Sequence, residues 1–347
     1  VAVVRQDFDA SVPGPHGRVG FCIPDLTQAR RLSPLLGEDH RPALTIIVPG
    51  EGTPVRLDGL PGGRIGESRA HLHLFVGRRI HPGLVGRREP ERWQRIGKNH
   101  VGLPFDRLEG VLLTHFHSDH IAALPEFNLN SWVAGRPSPL VVFGPEGVGE
   151  VVAGLNDAYR QDRNYRVLHH GERLLPPDLG VMEARRIHAG EIVETGGLII
   201  SSFVVDHSPV EPAVGYRFDY RGRSVVVSGD TVITQTLVDA ATGADLLLHD
   251  ALSMPIVSSL EAAARGSRME IILSDIQDYH AHVADLEDLV DRTGVRQLAL
   301  YHLVPAPQNA LMEKVFSRGL PHGAVLTRDG MMFELAADGE SVVRVSQ

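Results

Sequence analysis

Thr114-His115-Phe116-His117-Ser118-Asp119-His120 directly follows the apolar run Val111-Leu112-Leu113. Within that stretch His115, His117, Asp119 and His120 set four metal-ligand side chains into six positions. If 111–113 is a buried strand, His115 and His117 lie two residues apart in extended chain and face one side, toward one ion. The chain must then turn, which presents Asp119 and His120 to a neighbouring position. Imidazole and carboxylate together suit Zn²⁺, with Mn²⁺ or Fe²⁺ as alternatives, and a hydrolytic centre keeps one position open for water. A polar strand-end turn with solvated histidines would explain a histidine pair more readily than it explains this spacing.

A two-metal centre needs about six or seven ligands, so more His or Asp should stand at strand ends downstream. Val205-Asp206-His207 follows the apolar run Leu198 to Val205, which suits His207 as third histidine of the first ion. Ser228-Gly229-Asp230 follows the run Ser224 to Val227, and Gly229 permits a tight turn that aims the Asp230 carboxylate inward, where it could bridge two cations. His302 ends the run Gln297 to Tyr301 and would complete the second ion with Asp119 and His120. His249, after Leu246 to Leu248, and His280, before the helix-like stretch Ala284 to Thr293, are candidates for orienting a ligand or giving a proton to a leaving group. His169, His170 and His188 have no convergent spacing and read as non-ligands.

Strand-like runs (Leu140 to Phe143, Val214 to Tyr220 and those above) alternate with helix-like stretches at Gly147 to Arg160, Val232 to Ala241, Ala284 to Thr293 and Asn309 to Arg318. Tyr220-Arg221-Gly222-Arg223 and Arg328-Asp329-Gly330 read as hairpin turns. The pattern is α/β with hairpins mixed in and no internal repeat. At 347 residues one large domain is expected. No apolar run approaches the roughly 20 residues needed to cross a bilayer, so a membrane protein is not expected. Cys22 is the only cysteine, which excludes an intrachain disulfide and makes a cytoplasmic location the default, with export left open by the uncertain N-terminus. A net charge of −9 argues against a surface that grips nucleic acid broadly.

Residues 78–98 are rich in arginine with His81, Pro82, Gly83 and Trp93, and read as an irregular solvated loop ahead of a phosphate-binding patch. Only Lys98 and Lys314 among 34 basic residues are lysine, which suggests GC-rich coding DNA. An out-of-frame stretch in such DNA also yields Arg, Gly, Pro and His. The chain therefore divides into an N-terminal part, 1–102, diverged or out of frame and contributing part of a first sheet, and a catalytic region, 103–347.

Taken together, residues 114–120, Asp206-His207 through Gly215-Tyr216-Arg217, Ser228-Gly229-Asp230-Thr231, Leu248-His249-Asp250-Ala251, Phe143-Gly144-Pro145-Glu146-Gly147 and the spacing of His280 to His302 resemble the metallo-β-lactamase superfamily, in its ribonuclease Z-like branch. That resemblance implies a four-layer αββα sandwich with two mixed β-sheets, metals at the sheet edge, and a homodimer. It implies one zinc on His115, His117 and His207, another on Asp119, His120 and His302, and Asp230 between them. Asp119 would also accept a proton from the attacking water, and His280 would assist the leaving group. Ribonuclease Z itself carries a Glu where Asp250 stands, and a Ser and an Arg where Leu303-Val304-Pro305-Ala306 stands. Its long basic arm for transfer RNA is not evident, and neither is the superfamily's early Asp-x-Gly element; Pro49 to Pro54 would be its glycine-rich turn. The expected activity is thus a dinuclear zinc hydrolase that uses a metal-bound hydroxide on a small-molecule ester, lactone, sulfate ester or phosphodiester. Endonucleolytic cleavage at the 3′ end of precursor transfer RNA comes second, and an inactive metal-binding relative third.

Overall fold

Strands that are buried at every position, such as Arg223–Val227 and Leu246–Leu252, need cover on both faces, and the fold provides it. The computed structural model describes residues 108, 110–195, 197–327, 331–336, 339 and 341–345, and the backbone alone of 2–6, 43–48 and 71–76. In chain order the strands are β1 (Ala2–Gln6), β2 (Ala43–Val48), β3 (His71–Val76), β4 (Gly110–Leu112), β5 (Leu140–Gly144), β6 (Met182–Arg186), β7 (Ile192–Thr195) and β8 (Leu198–Val204). They continue as β9 (Val214–Tyr220), β10 (Arg223–Val227), β11 (Leu246–Leu252), β12 (Gln297–Val304), β13 (Val325–Leu326), β14 (Met331–Ala336) and β15 (Val343–Val345). The helices are α1 (Ser118–Ile121), α2 (Leu124–Val133), α3 (Val148–Ala158), α4 (Arg160–His170), α5 (Gln235–Ala241), α6 (Met254–Ala263), α7 (Arg268–Asp275), α8 (Leu286–Thr293) and α9 (Ala310–Phe316).

An eight-stranded sheet runs β15-β14-β2-β3-β1-β4-β5-β6 and a seven-stranded sheet β13-β12-β11-β10-β9-β8-β7. Both are mixed: β4, β5 and β6 are mutually parallel while β1 is antiparallel to β3 and β4, and β10 to β13 are parallel while β7 to β10 form an antiparallel meander. Alternation sorts the side chains into layers. Leu112 and Phe333 from the first sheet meet Val225, Val227, Leu246 and Leu248 from the second. The intervening Val226 and Leu247 face the other way, against Leu237, Leu286, Leu289 and Phe316 of α5, α8 and α9. On the far side Val111, Leu113, Leu140 and Val142 pack under Leu124, Val148 and Val152 of α2 and α3. The result is the four-layer αββα sandwich that the resemblance implied.

The strands and helices read from the sequence between Leu140 and Phe316 are present, with ends moved by a few residues. The Tyr220 to Arg223 turn is a two-residue hairpin in which Arg221 (φ 49°) and Gly222 (φ 76°) both adopt the left-handed conformation that matches strand twist. Elements that the periodicity did not show are α2, α4, α6, α7 and the strands β6 and β7. Among these, α4 has no buried residue and so carries no apolar stripe to detect; His169 and His170 end it, exposed. Of the chain before residue 102, β1, β2 and β3 lie in the first sheet through backbone pairing. The expectations for the basic stretch 78–98, the turn at Pro49 to Pro54, the reading frame, Cys22 and the Arg328-Asp329-Gly330 turn fall outside the described residues. No helix among the described residues is long and apolar enough to cross a membrane.

One contact sews the two sheets together. Tyr216 of β9, fully buried, donates its hydroxyl to the Leu113 carbonyl just beyond β4 at 2.7 Å. Burial pushes this phenol far above its usual range, so it stays a donor. A Tyr216→Phe variant leaves that carbonyl buried without its partner and should cost about 1–3 kcal/mol. Urea unfolding of the metal-free protein should show a lower midpoint; an unchanged midpoint would mean that the hydroxyl does not tie the sheets.

Candidate metal centre

Past β4 the chain is gripped from both sheets. Leu113 N donates to Phe143 O of β5 at 2.8 Å, and Val214 N of β9 donates to Thr114 O at 3.0 Å. His115 follows, fully buried, and its Nε2 lies 3.1 Å from Nδ1 of exposed His117. His117 ends the extended segment and forms the N-terminal boundary of α1, so Asp119 and His120 leave from the first turn of a helix. The turn is therefore a short helix, and it delivers the second pair of side chains beside the first.

Three more strand ends converge on this point. His207, beyond β8, has Nε2 at 3.3 Å from His117 Nδ1 and donates its Nδ1–H to the Tyr279 carbonyl at 3.0 Å. That bond fixes the tautomer and leaves Nε2 as a bare lone pair. Beyond β10, Gly229 has φ +72°, and a Cβ there would sit 3.0 Å from Val214 O and 3.2 Å from the Thr114 side chain. Only glycine fits both the conformation and the space, and the turn aims Asp230 inward. At the end of β12 the pairing with β11 slips: His249 is opposite Leu300, but Ala251 is opposite Leu303. His302 lies in this bulge with φ +49°, a strained conformation for a non-glycine residue that costs about 1–3 kcal/mol and re-aims the side chain.

The Asp230 carboxylate lies at the middle of the cluster, 2% exposed. Its Oδ2 is 2.9 Å from His302 Nε2, 3.2 Å from His120 Nε2 and 3.9 Å from both His115 Nε2 and His207 Nε2. Asp119 Oδ2 lies 3.4 Å from His302 Nε2 and 3.7 Å from His120 Nε2. The ligand atoms fall into two convergent groups, His115, His117, His207 and Asp230 on one side and Asp119, His120 and His302 on the other; Asp230, His280 and His302 form a third. The structure thus brings together all seven residues expected as ligands.

The electrostatics fit a cation. Burial, and after it the neighbouring His120, pushes His115 down to about 2; burial is also the main cause that lowers His120 and His207. Neutral imidazoles present lone pairs, and here several point at one another. Burial pushes the Asp230 carboxyl up, but His302 and His120 outweigh it and hold the group well below the usual carboxylate range. Its Oδ1 is buried with no hydrogen-bond partner among the described residues. Converging lone pairs and a half-satisfied buried carboxylate are the complement of a divalent cation, and the all-N/O donor set suits a borderline metal. These residues could hold a divalent metal ion.

Beside the ligands stands a buried triad. His280 Nδ1 donates to Asp250 Oδ2 at 2.8 Å, and the His280 ring stacks on His302 at 5.3 Å between centroids. Asp250 is fully buried; burial raises it, but the hydrogen bonds from His249 and His280 bring it below its ordinary value. The Asp that replaces the family's Glu therefore still reaches the histidine. His249, named from the sequence beside His280, joins none of the convergent groups: its Nδ1 lies 2.7 Å from the Asp250 carbonyl and 3.0 Å from Asp250 Oδ1. His249 is wholly buried and lies against Asp250, where it can orient that carboxylate. His188 is exposed and pairs with Arg186, outside the cluster. Tyr279 was not foreseen; the only sign of it in the sequence is that it immediately precedes His280.

Removing the shared charge while keeping the shape tests this geometry. An Asp230→Asn protein should lose about half or more of its bound metal by elemental analysis, with circular dichroism showing an intact fold; metal content equal to wild type would contradict the assignment.

The β-lactamase superfamily domain matches residues 84–303, a span that encloses every ligand. Ribonuclease Z of Mycobacterium bovis (strain BCG / Pasteur 1173P2) is 38% identical over 209 residues, covering 59% of this chain and 71% of that protein. Ribonuclease Z of Mycobacterium avium (strain 104) is 37% identical over the same length, again 59% and 71% of the two chains. Among solved structures, the short form of human tRNase Z aligns with a TM-score of 0.45 at 18% identity, over 71% of this chain and 89% of that one. The seven-residue cluster, the sandwich that carries it, the family match over residues 84–303 and the two ribonuclease Z relatives have one consequence: the chain belongs to the metallo-β-lactamase superfamily, in its ribonuclease Z-like branch, and is a metal-dependent hydrolase of the nuclease and phosphodiesterase type.

Proposed function

We propose that the protein is a dinuclear zinc endoribonuclease that cleaves a phosphodiester at the 3′ end of precursor transfer RNA. The observation that carries this reading is the 38% identity to ribonuclease Z over 209 residues. It reverses the order expected from the sequence, where a small-molecule substrate stood first.

In this reading His115, His117 and His207 hold one ion, Asp119, His120 and His302 the other, and Asp230 contacts both. Divalent cations bound there acidify water to a pKa of about 7 and neutralise the charge that grows at an attacked phosphoryl group. The chain's own groups supply the rest. Asp119, less buried than Asp230, takes up the proton released as water attacks. His280, oriented through Nδ1 by the Asp250 carboxylate, gives a proton to the departing oxygen. Asp250 is in turn held by His249, so the donor's orientation is set two residues deep.

A small-molecule ester, lactone, sulfate ester or diester remains a second reading. It is favoured by the net charge of −9 and by the apolar Leu303-Val304-Pro305-Ala306 where ribonuclease Z has a Ser and an Arg. A 3′-extended precursor transfer RNA and a chromogenic diester, each assayed across a salt series with zinc, separate the two. Cleavage of the RNA near its 3′ end, falling steeply with salt, is the expected result. An intact precursor beside brisk, salt-independent turnover of the chromogenic ester would overturn it.

A further inference from the structure

We infer that Tyr279 is the wall on which the nucleobase next to the scissile phosphate stacks, an inference that rests on the phosphodiesterase reading and gives that site its affinity for a nucleotide substrate of any base. Most of the cluster is buried, with His117 exposed and Asp119 partly so. His115, His120, His207, Asp230, His280 and His302 are all buried, whereas Tyr279 is only partly so, and it borders the cluster directly. Its ring lies 5.1 Å from the His207 ring at 88° and 4.9 Å from the His280 ring at 56°. One aromatic thus touches both a metal ligand and the group placed at the leaving oxygen. A nucleotide whose phosphate reached this cluster would bring a base to its border, and Tyr279 is the aromatic side chain in contact with His207 and His280 there.

The backbone that carries the ring is also tied down, which lowers the cost of presenting the ring to a base. The Tyr279 carbonyl accepts the His207 Nδ1–H, so its backbone is tied to the metal cluster. Immediately upstream, Gln277 donates its amide to the Leu273 carbonyl at 2.8 Å and to Glu261 Oε2 at 3.1 Å, and its own carbonyl accepts from His282 Nε2 at 2.8 Å. The segment is therefore pinned to α6, to α7 and to the residues after His280. A preorganised, partly exposed aromatic face beside a phosphate site suits a flat base, and it tolerates any base because each has a π-face. Leu, by contrast, keeps bulk at the rim without a π-system.

The test is direct binding of 2-aminopurine riboside 5′-monophosphate, whose fluorescence is quenched by stacking, to wild type, Tyr279→Phe and Tyr279→Leu, each zinc-loaded and metal-free. Ribose 5-phosphate serves as the competitor without a base. The expected result is quenching in wild type and Tyr279→Phe, its loss in Tyr279→Leu, and binding about tenfold weaker in the leucine variant for the nucleotide alone. Ribose 5-phosphate should bind wild type and Tyr279→Leu equally. Quenching that survives in Tyr279→Leu, no quenching in wild type, or equal weakening of nucleotide and ribose 5-phosphate would overturn the inference. Cleavage of precursor transfer RNA is scored separately: base-dependent binding through Tyr279 without RNA cleavage would sink the ribonuclease reading and leave this one standing.

Discussion

Two backbone residues, Leu113 and Thr114, are held from both sheets at once, and the metal centre depends on that hold. β5 takes the Leu113 amide, while β9 binds the Leu113 carbonyl through a phenol and the Thr114 carbonyl through an amide. His115 is the next residue, so its position is referred to both layers of the sandwich. A Cβ added at Gly229 would meet the side chain of the same Thr114 at 3.2 Å, so the Asp230 turn of the second sheet lies close against the motif of the first. Neither sheet alone could assemble the cluster, since His115, His117, Asp119 and His120 follow a strand of one and His207, Asp230 and His302 follow strands of the other.

The assembly opposes folding until it is filled. Neutral imidazoles face one another, Asp230 keeps one oxygen unsatisfied, and His302 stands in a strained conformation in a β-bulge. These costs are local and fall on the residues that a cation would contact, the usual place for stored strain. A metal that binds the native state alone offsets them by mass action, so stability and metal loading are linked in this chain. Three apolar layers hold the strand ends that carry these residues.

Much of this was legible in the sequence because ligands at strand ends leave a plain trace. A strand buried on both faces is an unbroken apolar run, and a His or Asp at its end is conspicuous; that is how His207, Asp230 and His302 could be named beside residues 114–120. What stayed hidden lacked such a trace. Helix α4 buries nothing, so it has no stripe. The route from the Asp250 carboxylate to His280 joins residues 30 apart in the chain and shows only in the fold. His249 sits at a strand end like the ligands, yet it turns toward its own neighbour Asp250, a difference of side-chain direction that spacing does not encode. Net charge does little to rank the substrates, because a sum over 347 residues says little about the few that border a site.

The central claim is that two cations occupy this cluster with Asp230 between them. Crystals of the zinc-loaded protein, measured at the zinc absorption edge, test it most directly. The account predicts two anomalous peaks, one within ligand distance of His115, His117 and His207 and one within ligand distance of Asp119, His120 and His302, with Asp230 contacting both. A loaded crystal with no peak among these residues, or with its zinc elsewhere on the chain, would contradict it.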